Sequence, residues 1–472
     1  MAGPLKPAQA TMPGKSVSLS GQTVDLTLSD AVFLGLRTNR SIRSAYLERI
    51  AEKFDLRVEE DRFNPKLLLT GRYLVNRNQD ERFNTAEVVP AATLLSKLGT
   101  RFSLSWSYQS TDVKRGGELT QDKVATFSVI QPLLRGGGKS AATASLRMAR
   151  LGEQANKLKL KMAVSDTVMQ IIFAYHEVLR AQEQLKIARD GLERSRQLLE
   201  VNKAMIAAGR MAEFDAVQTE ADSASQELMV EETTNQLAAK RLDLLRLLAL
   251  DSNTRITVID SPVARRTEIS LSTALSAAFE QRPAYLSQII ASEQASIRLD
   301  LARNEQLWDV SLVGEASQSR LSSKRTQVGN NSNRTWDGYA GVQVEIPIGD
   351  LSIKQSEVRA KVDAENQGVL LAEAKQALEL EVDNAVRDLG TRWRQYEIAQ
   401  RALTLSQRKL EVEREKLRVG RSSNFQVLSY ESDLRNAENA SLDALIAYLN
   451  AQSTLDNTLG TTLESWDISL ND

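Results

Sequence analysis

Proline placement constrains this chain more than any other feature. Its nine prolines lie at 4, 7, 13, 65, 90, 132, 262, 283 and 347, which leaves 133–261 and 348–472 without one. Proline removes an amide donor and clashes with the preceding turn, so a very long helix needs such stretches. Glycine is sparse there too, with only Gly152 and Gly191 between 139 and 208, and only Gly368 and Gly390 between 350 and 419. In the first stretch apolar residues recur at Val164, Val168, Ile171, Tyr175, Val178, Leu185, Leu192 and Leu199. In the second they recur at Val382, Val386, Leu389, Trp393, Tyr396, Leu403, Leu410 and Leu417. Steps of three, four and seven are the seam of a coiled coil or elongated bundle. A helix of about 70 residues is ~105 Å long. A narrow apolar stripe with mixed charges sets such helices side by side, with large solvated faces.

The two halves repeat each other in order. Leu28-Ser29-Asp30-Ala31-Val32 parallels Leu271-Ser272-Thr273-Ala274-Leu275, each opening a short helix with Ser29 or Ser272 as the expected N-cap. Phe127 to Leu133 parallels Val342 to Ile348, a strand pattern ending in Pro132 or Pro347 ahead of a long helix. Gly209-Arg210-Met211-Ala212-Glu213-Phe214 aligns with Gly420-Arg421-Ser422-Ser423-Asn424-Phe425, and Glu220-x-Asp222 with Glu431-x-Asp433. At this third landmark a glycine closes one helix and the next begins at once, which reads as a helical hairpin capped by Asp215 or Ser423.

Ahead of each long helix the apolar period changes to two. Phe102, Leu104, Trp106 and Tyr108 share a face opposite Arg101, Ser103, Ser105, Ser107 and Gln109. Trp308, Val310, Leu312, Gly314 and Ala316 do the same, as do Trp336, Gly338, Ala340, Val342, Val344 and Ile346. Such strands fit a half-buried soluble sheet. They also fit a transmembrane barrel with one face to lipid and aromatics at the interfaces. The polar stretches 77–85 and 318–335 read as loops. Few strands cannot close a barrel, so the second alternative requires copies to share one.

Composition removes several function classes. The 60 Lys+Arg against 61 Asp+Glu disfavour nucleic-acid binding by bulk charge. No Cys and a single His, His176, exclude disulfides, thiolate sites and a His-rich metal centre, and no cofactor is expected. His176 reads as a surface or packing residue. Gly136-Gly137-Gly138-Lys139-Ser140 mimics the end of a phosphate loop, but Leu133 stands where its first glycine belongs. No apolar run reaches the ~20 residues of a spanning helix, and no signal peptide is visible in Met1 to Ser20.

In its duplicated order of short helix, strands, Gln131-Pro132-Leu133-Leu134-Arg135-Gly136-Gly137-Gly138 turn, long helix and glycine-tipped hairpin, the chain resembles the TolC-like outer-membrane efflux proteins. The resemblance covers 28–250 and 271–460. It implies an α+β fold. Long antiparallel helices form a trimeric α-helical barrel, and a few strands per chain contribute to a shared transmembrane β-barrel. The chain divides into an extended segment 1–27, a first repeat 28–250, a linker 251–270, a second repeat 271–460 and a tail 461–472. Strands are expected at 66–76, 99–110 and 123–131 in the first repeat and at 307–319 and 335–346 in the second. Helices are expected at 138–208, 212–250, 350–419 and 424–459. The resemblance implies two strands per repeat; the third segment, with Pro90 nearby, points to an extra hairpin within 77–98.

The same resemblance implies a passive exit duct for efflux or type I secretion, not an enzyme. A periplasmic adaptor and an inner-membrane pump of the RND or ABC type feed it, and outer-membrane lipid surrounds its barrel. Gate candidates at the periplasmic end are Glu213 and Asp215 in the first hairpin, with Gln426 and Ser429 at the matching places in the second. Gly209, Arg210, Gly420 and Arg421 are the tips expected to meet the adaptor, and Glu413 and Glu415 lie nearby. Trp106, Tyr108, Trp308 and Trp336 are the expected membrane-interface aromatics. The competing readings are a soluble coiled-coil scaffold and, more remotely, an enzyme with carboxylate chemistry.

Overall fold

The computed structural model describes residues 23–77, 82–113, 118–261, 263–325 and 329–470. The expected segment 1–27 lies outside the described residues as far as residue 22, as do 471–472 of the expected tail. The chain runs β1 (Thr23–Leu26), α1 (Leu28–Thr38), α2 (Arg40–Asp61), β2 (Lys66–Arg77), β3 (Arg82–Leu95), β4 (Arg101–Val113) and β5 (Glu118–Pro132). It continues through α3 (Gly138–Ala142), α4 (Ala144–Ala207), α5 (Glu213–Leu247), β6 (Arg255–Val258), α6 (Leu271–Gln281) and α7 (Pro283–Glu305). It ends with β7 (Asp309–Arg325), β8 (Gly329–Glu345), α8 (Leu351–Arg418), α9 (Asn424–Leu459) and α10 (Thr462–Ser465). One compact unit comprises Met1–Leu47, Lys159–Leu286 and Lys375–Asp472; the other comprises Glu48–Leu158 and Ser287–Ala374. Each unit thus draws on both sequence halves.

In the first unit β1 pairs in parallel with β6, Leu26 opposite Val258. Around them Val32, Val164, Val168, Ile171, Tyr175, Val178, Leu244 and Leu248 are buried. Ala274, Ala278, Val382, Leu389, Tyr448 and Leu455 form a second cluster. Leu198, Leu410, Leu417, Val427 and Leu434 form a third, beside the hairpin turns. Each such aliphatic side chain contributes about 1.5–3 kcal/mol on burial. The expected seam holds as far as Leu185 and then rotates. Beyond it the buried positions are Ala188, Gly191, Ser195, Leu198 and Asn202, while Leu192 and Leu199 are only half-buried. A straight helix at 3.6 residues per turn drifts out of a strict seven-residue repeat.

The helix ends show which side chains do the capping. Thr27, two residues before Ser29, forms a capping box with Asp30; Ser270, before Ser272, accepts from the Thr273 amide. Ser423 caps α9 as expected, but Asp215 does not cap α5, whose first turn follows Ala212. Gly209 and Gly420 sit at φ +71° and +75°. The paired bonds Arg210 N–H to Met205 O (2.9 Å) and Arg421 N–H to Lys416 O (2.8 Å) close both helices as Schellman turns.

The second unit holds a six-stranded antiparallel sheet in the order β2-β3-β4-β5-β7-β8. Strand β3 occupies most of the stretch where an extra hairpin was suspected, so the first repeat supplies four strands, not three. The stretches 77–85 and 318–335 are not simple loops, because 82–85, 318–325 and 329–335 belong to strands. Pro90 pairs with Leu69 on the β2 side, while the β3–β4 ladder skips Val89 and Pro90, as a missing amide requires. The glycine triplet is a turn: Gly136 and Gly138 have φ of +73° and +82°. Its amides are already used, Gly136 N–H by Asn304 Oδ1 (2.7 Å) and Gly138 N–H by Leu98 O (3.2 Å), so it is not a phosphate cradle. Arg49, 5% exposed, pairs bidentately with Glu153 and ties α2 to α4 within this unit.

His176 is a core residue of the first unit, 4% exposed, with Nδ1 2.6 Å from Asn450 Oδ1. Burial lowers its pKa below the ordinary 6.5. The unfolded chain therefore binds a proton that the folded chain refuses. The stability this contributes is complete above about pH 6.5 and is lost as pH falls toward the folded value. Thermal unfolding should thus shift downward between about pH 7.5 and pH 5, and His176→Gln should reduce that shift. An equal slope in both proteins would contradict the assignment.

Candidate functional site

Two regions carry features beyond packing. The first is the sheet. The strand register puts Leu67, Leu69, Tyr73 and Val75 of β2 on one face with Val88, Ala92 and Leu94 of β3 and with Phe102, Leu104, Trp106 and Tyr108 of β4. That face continues through Ala125, Phe127 and Val129 of β5, Leu312 and Ala316 of β7, and Trp336, Val342 and Val344 of β8. The other face carries Arg72, Glu87, Ser103, Ser105, Gln109, Ser128, Glu315 and Asp337. Arg72 pairs with Glu87 across it. The apolar face is uncovered within the chain: Leu67 is 84% exposed, Val75 74% and Trp336 79%. A continuous patch of this kind on a single chain marks a surface for lipid or protein.

The aromatics frame this face. Trp106 and Trp336 lie in one cross-strand row, through Ala125 and Gln318. Tyr108 stacks on Trp106 with centroids 6.3 Å apart, and Lys123 lies over its ring. Trp308 precedes β7 at the opposite end of that strand. The ten residue steps from Trp308 to Gln318 span about 25 Å along the normal at a strand tilt of about 40°. That is about the height of a barrel's apolar band.

The second region is the pair of helix tips. Gly209, Arg210, Gly420 and Arg421 are all exposed, and so is Glu213, while Asp215, Gln426 and Ser429 are half-buried. Among the described residues no ion pair engages the Glu213 or Asp215 carboxylate; Asp215 contributes its carbonyl instead. That carbonyl accepts from Thr219 Oγ1 (3.0 Å) and Asn424 Nδ2 (3.1 Å). Asn202 Nδ2 donates to both Thr219 Oγ1 and Asn424 Oδ1 at 2.7 Å. The three side chains are 0–2% exposed, and Asn202 Oδ1 has no partner among the described residues. Two turns further on, buried Glu431 accepts from Arg194 Nε (3.0 Å) and from Arg414. Arg194 also reaches Glu438 (3.3 Å), whose pKa burial raises. Ser195 Oγ donates to Asp222 (2.7 Å). These bonds tie α4, α5, α8 and α9 to one another.

Glu413 is not free for a partner. The Ser422 hydroxyl (2.6 Å) and the Lys416 ammonium (3.0 Å) hold its carboxyl below the usual range. Glu415 is exposed and pairs only with Arg418 in its own helix. The repeat is broken here in a useful way. Glu431 is buried between two arginines while its counterpart Glu220 is exposed. The sequence singled out both glutamates as landmarks; Asn202, Thr219 and Arg194 gave no local signal, because their role comes from distant helices.

No family model matches the sequence. The chain is 25% identical over 334 residues to Protein CyaE of Bordetella pertussis, covering 70% of this chain and 69% of that protein. It is similar in structure to the Campylobacter jejuni CmeC outer membrane channel, with TM-score 0.66, 16% identity and 96% and 94% of the two chains covered. The outer membrane protein VceC of Vibrio cholerae gives TM-score 0.67 at 14% identity, over 92% of this chain and 96% of that one. The open state of the Neisseria gonorrhoeae MtrE outer membrane channel gives TM-score 0.66 at 17% identity, over 95% and 94%. The fold is the TolC-like outer-membrane channel fold, as the resemblance in the sequence implied.

Removing the Asn424 amide takes the acceptor from one buried Asn202 N–H and one of its two donors from the Asp215 carbonyl. Asn424→Ala should cost about 1–3 kcal/mol, read as a lower unfolding midpoint, whereas Ser429→Ala, outside the cluster, should cost far less. Equal midpoints would remove Asn424 from the tie.

Proposed function

We propose that this chain is one protomer of a trimeric channel in a Gram-negative outer membrane, with a periplasmic helical extension. It conducts substrate passively, as the exit duct of a tripartite efflux pump or a type I secretion system. The observation that carries this reading is the six-stranded sheet with one uncovered apolar face and two unpaired edges. Water would penalise that face, and hydrocarbon would penalise those edges unless another copy completed them. The shared fold with solved outer-membrane channels supports it.

The helix tips form the periplasmic gate. Asn202, Thr219, Asn424, Arg194, Glu431 and Arg414 hold the two hairpins of one protomer together, and loosening of these ties lets the second hairpin relax. Glu213, Asp215, Gln426 and Ser429 sit on the same turns and set the charge at the mouth. Gly209, Arg210, Gly420 and Arg421 present the surface a periplasmic adaptor meets, bringing with it an inner-membrane pump. Helix packing in grooves with rim charges suits such docking.

Fractionation of native cells tests the placement. An outer-membrane species near three times 52.3 kDa on an unheated gel is expected; a soluble monomer or dimer would favour the coiled-coil scaffold instead. Planar-bilayer recording tests the gate. Glu431→Gln, and Glu213→Gln with Asp215→Asn, should each raise single-channel conductance several-fold. Unchanged conductance and unchanged drug sensitivity of the host would remove those residues from the gate.

A further inference from the structure

A barrel shared by copies leaves open how many strands each copy gives. We propose that every protomer supplies all six strands, and that β2 of one copy pairs with β8 of the next, Lys66 opposite Glu345. Three chains then close an eighteen-stranded barrel in place of the twelve strands that two per repeat would make. The proposal rests on the channel reading.

The β2–β3 hairpin is wall, not appendage. Leu67, Leu69, Tyr73, Val75, Val88, Ala92 and Leu94 fall on the apolar face of the other four strands and the Arg72–Glu87 pair on the polar face, where Leu68, Leu74 and Val89 accompany it, with no break in register. A hairpin folded away from the barrel would have no reason to keep that phase.

The sheet also carries a barrel's stagger. Followed through Thr93, Ser103, Ser128 and Glu315, the row of Lys66 at the start of β2 reaches Tyr339 of β8. The adjacent ends of β3 and β4, Leu95 and Arg101, reach Gly341. Pro132, ending β5, reaches Gln343, and Asp309, starting β7, pairs with Glu345. The corresponding ends thus climb steadily from the row of Tyr339 to that of Glu345. Strands tilted by 35–45° shift by about 1.0–1.5 residues each, or about six to nine across six strands.

This stagger selects a register for the missing pairing. The shift must be even to keep apolar side chains on one face. A shift of eight would set Lys66 against Pro347, beyond the end of β8 and without an amide. The opposite stagger would run most of β2 past Gly329, the first residue of β8. A shift of six sets all of β2 against β8. Since β2 and β8 run in opposite directions in the sheet, the new pair is antiparallel, and each copy joins the next head to tail in a closed ring. Lys66 meets Glu345 on the polar face; Leu69 meets Val342 and Tyr73 covers Gly338 on the apolar one. Eighteen strands give a backbone diameter of about 36 Å, against about 24 Å for twelve, wide enough for an aqueous channel.

The chain has no cysteine, so paired cysteines report this contact cleanly. Asn76→Cys with Thr335→Cys should give a covalent trimer in oxidised outer membranes. Asn76→Cys with Asn331→Cys, slipped by four residues, should not. Gln109→Cys of β4 with Thr335→Cys or Asp337→Cys should also stay unlinked. Linkage of the β4 pair overturns the six-strand sector and leaves the channel standing. So does an intact trimer in which Asn76→Cys links to none of Asn333→Cys, Thr335→Cys and Asp337→Cys. Absence of any membrane-bound trimer overturns both.

Discussion

A peptide group in hydrocarbon has no water to turn to, and this chain's sheet has two edges that need partners. The sheet of the second unit is built around that need. The strands are long and antiparallel, one face is continuously apolar, and β2 and β8 are left open within a single chain. Such edges are a hazard in a soluble monomer. In a closed assembly they become the contact that defines it.

The helices answer a different constraint. Helices of 64 and 68 residues cannot bury a wide apolar face against so little chain, and their seams are accordingly narrow. The polar ties at the tips are set against this weak background. A buried glutamate between two arginines, and an amide cluster with one acceptor unsatisfied, fix the hairpins without large apolar burial. Buried charge that is paired gives geometry more readily than stability. That suits the gate proposed for these tips.

Much of this was legible in the sequence because it depends on period and punctuation. Proline-free stretches gave the long helices, Gly209 and Gly420 the turns, and the alternation from Phe102 to Tyr108 a strand with one lipid-like face. What was not legible depends on long-range partners. The caps fell on Thr27 and Ser270, two residues early, because a cap is chosen by the geometry of the preceding chain. β3 was blurred by Pro90, whose missing amide is harmless only because of the neighbour it faces. At the helix tips, Asp215 stands out in the sequence as a charge, yet its carbonyl makes the contact. Asn202 and Thr219 became visible only when α4, α5 and α9 were brought together.

In the proposed channel the apolar face of the sheet meets lipid and the polar face meets water. Nitroxide labels placed one at a time from Phe102 to Tyr108 in the cysteine-free chain, in membranes, test it directly. Oxygen accessibility should peak at Phe102, Leu104 and Trp106, and accessibility to a water-soluble nickel chelate at Ser103, Ser105 and Ser107. Loss of that alternation, or equal exposure of both faces to the chelate, would contradict the account.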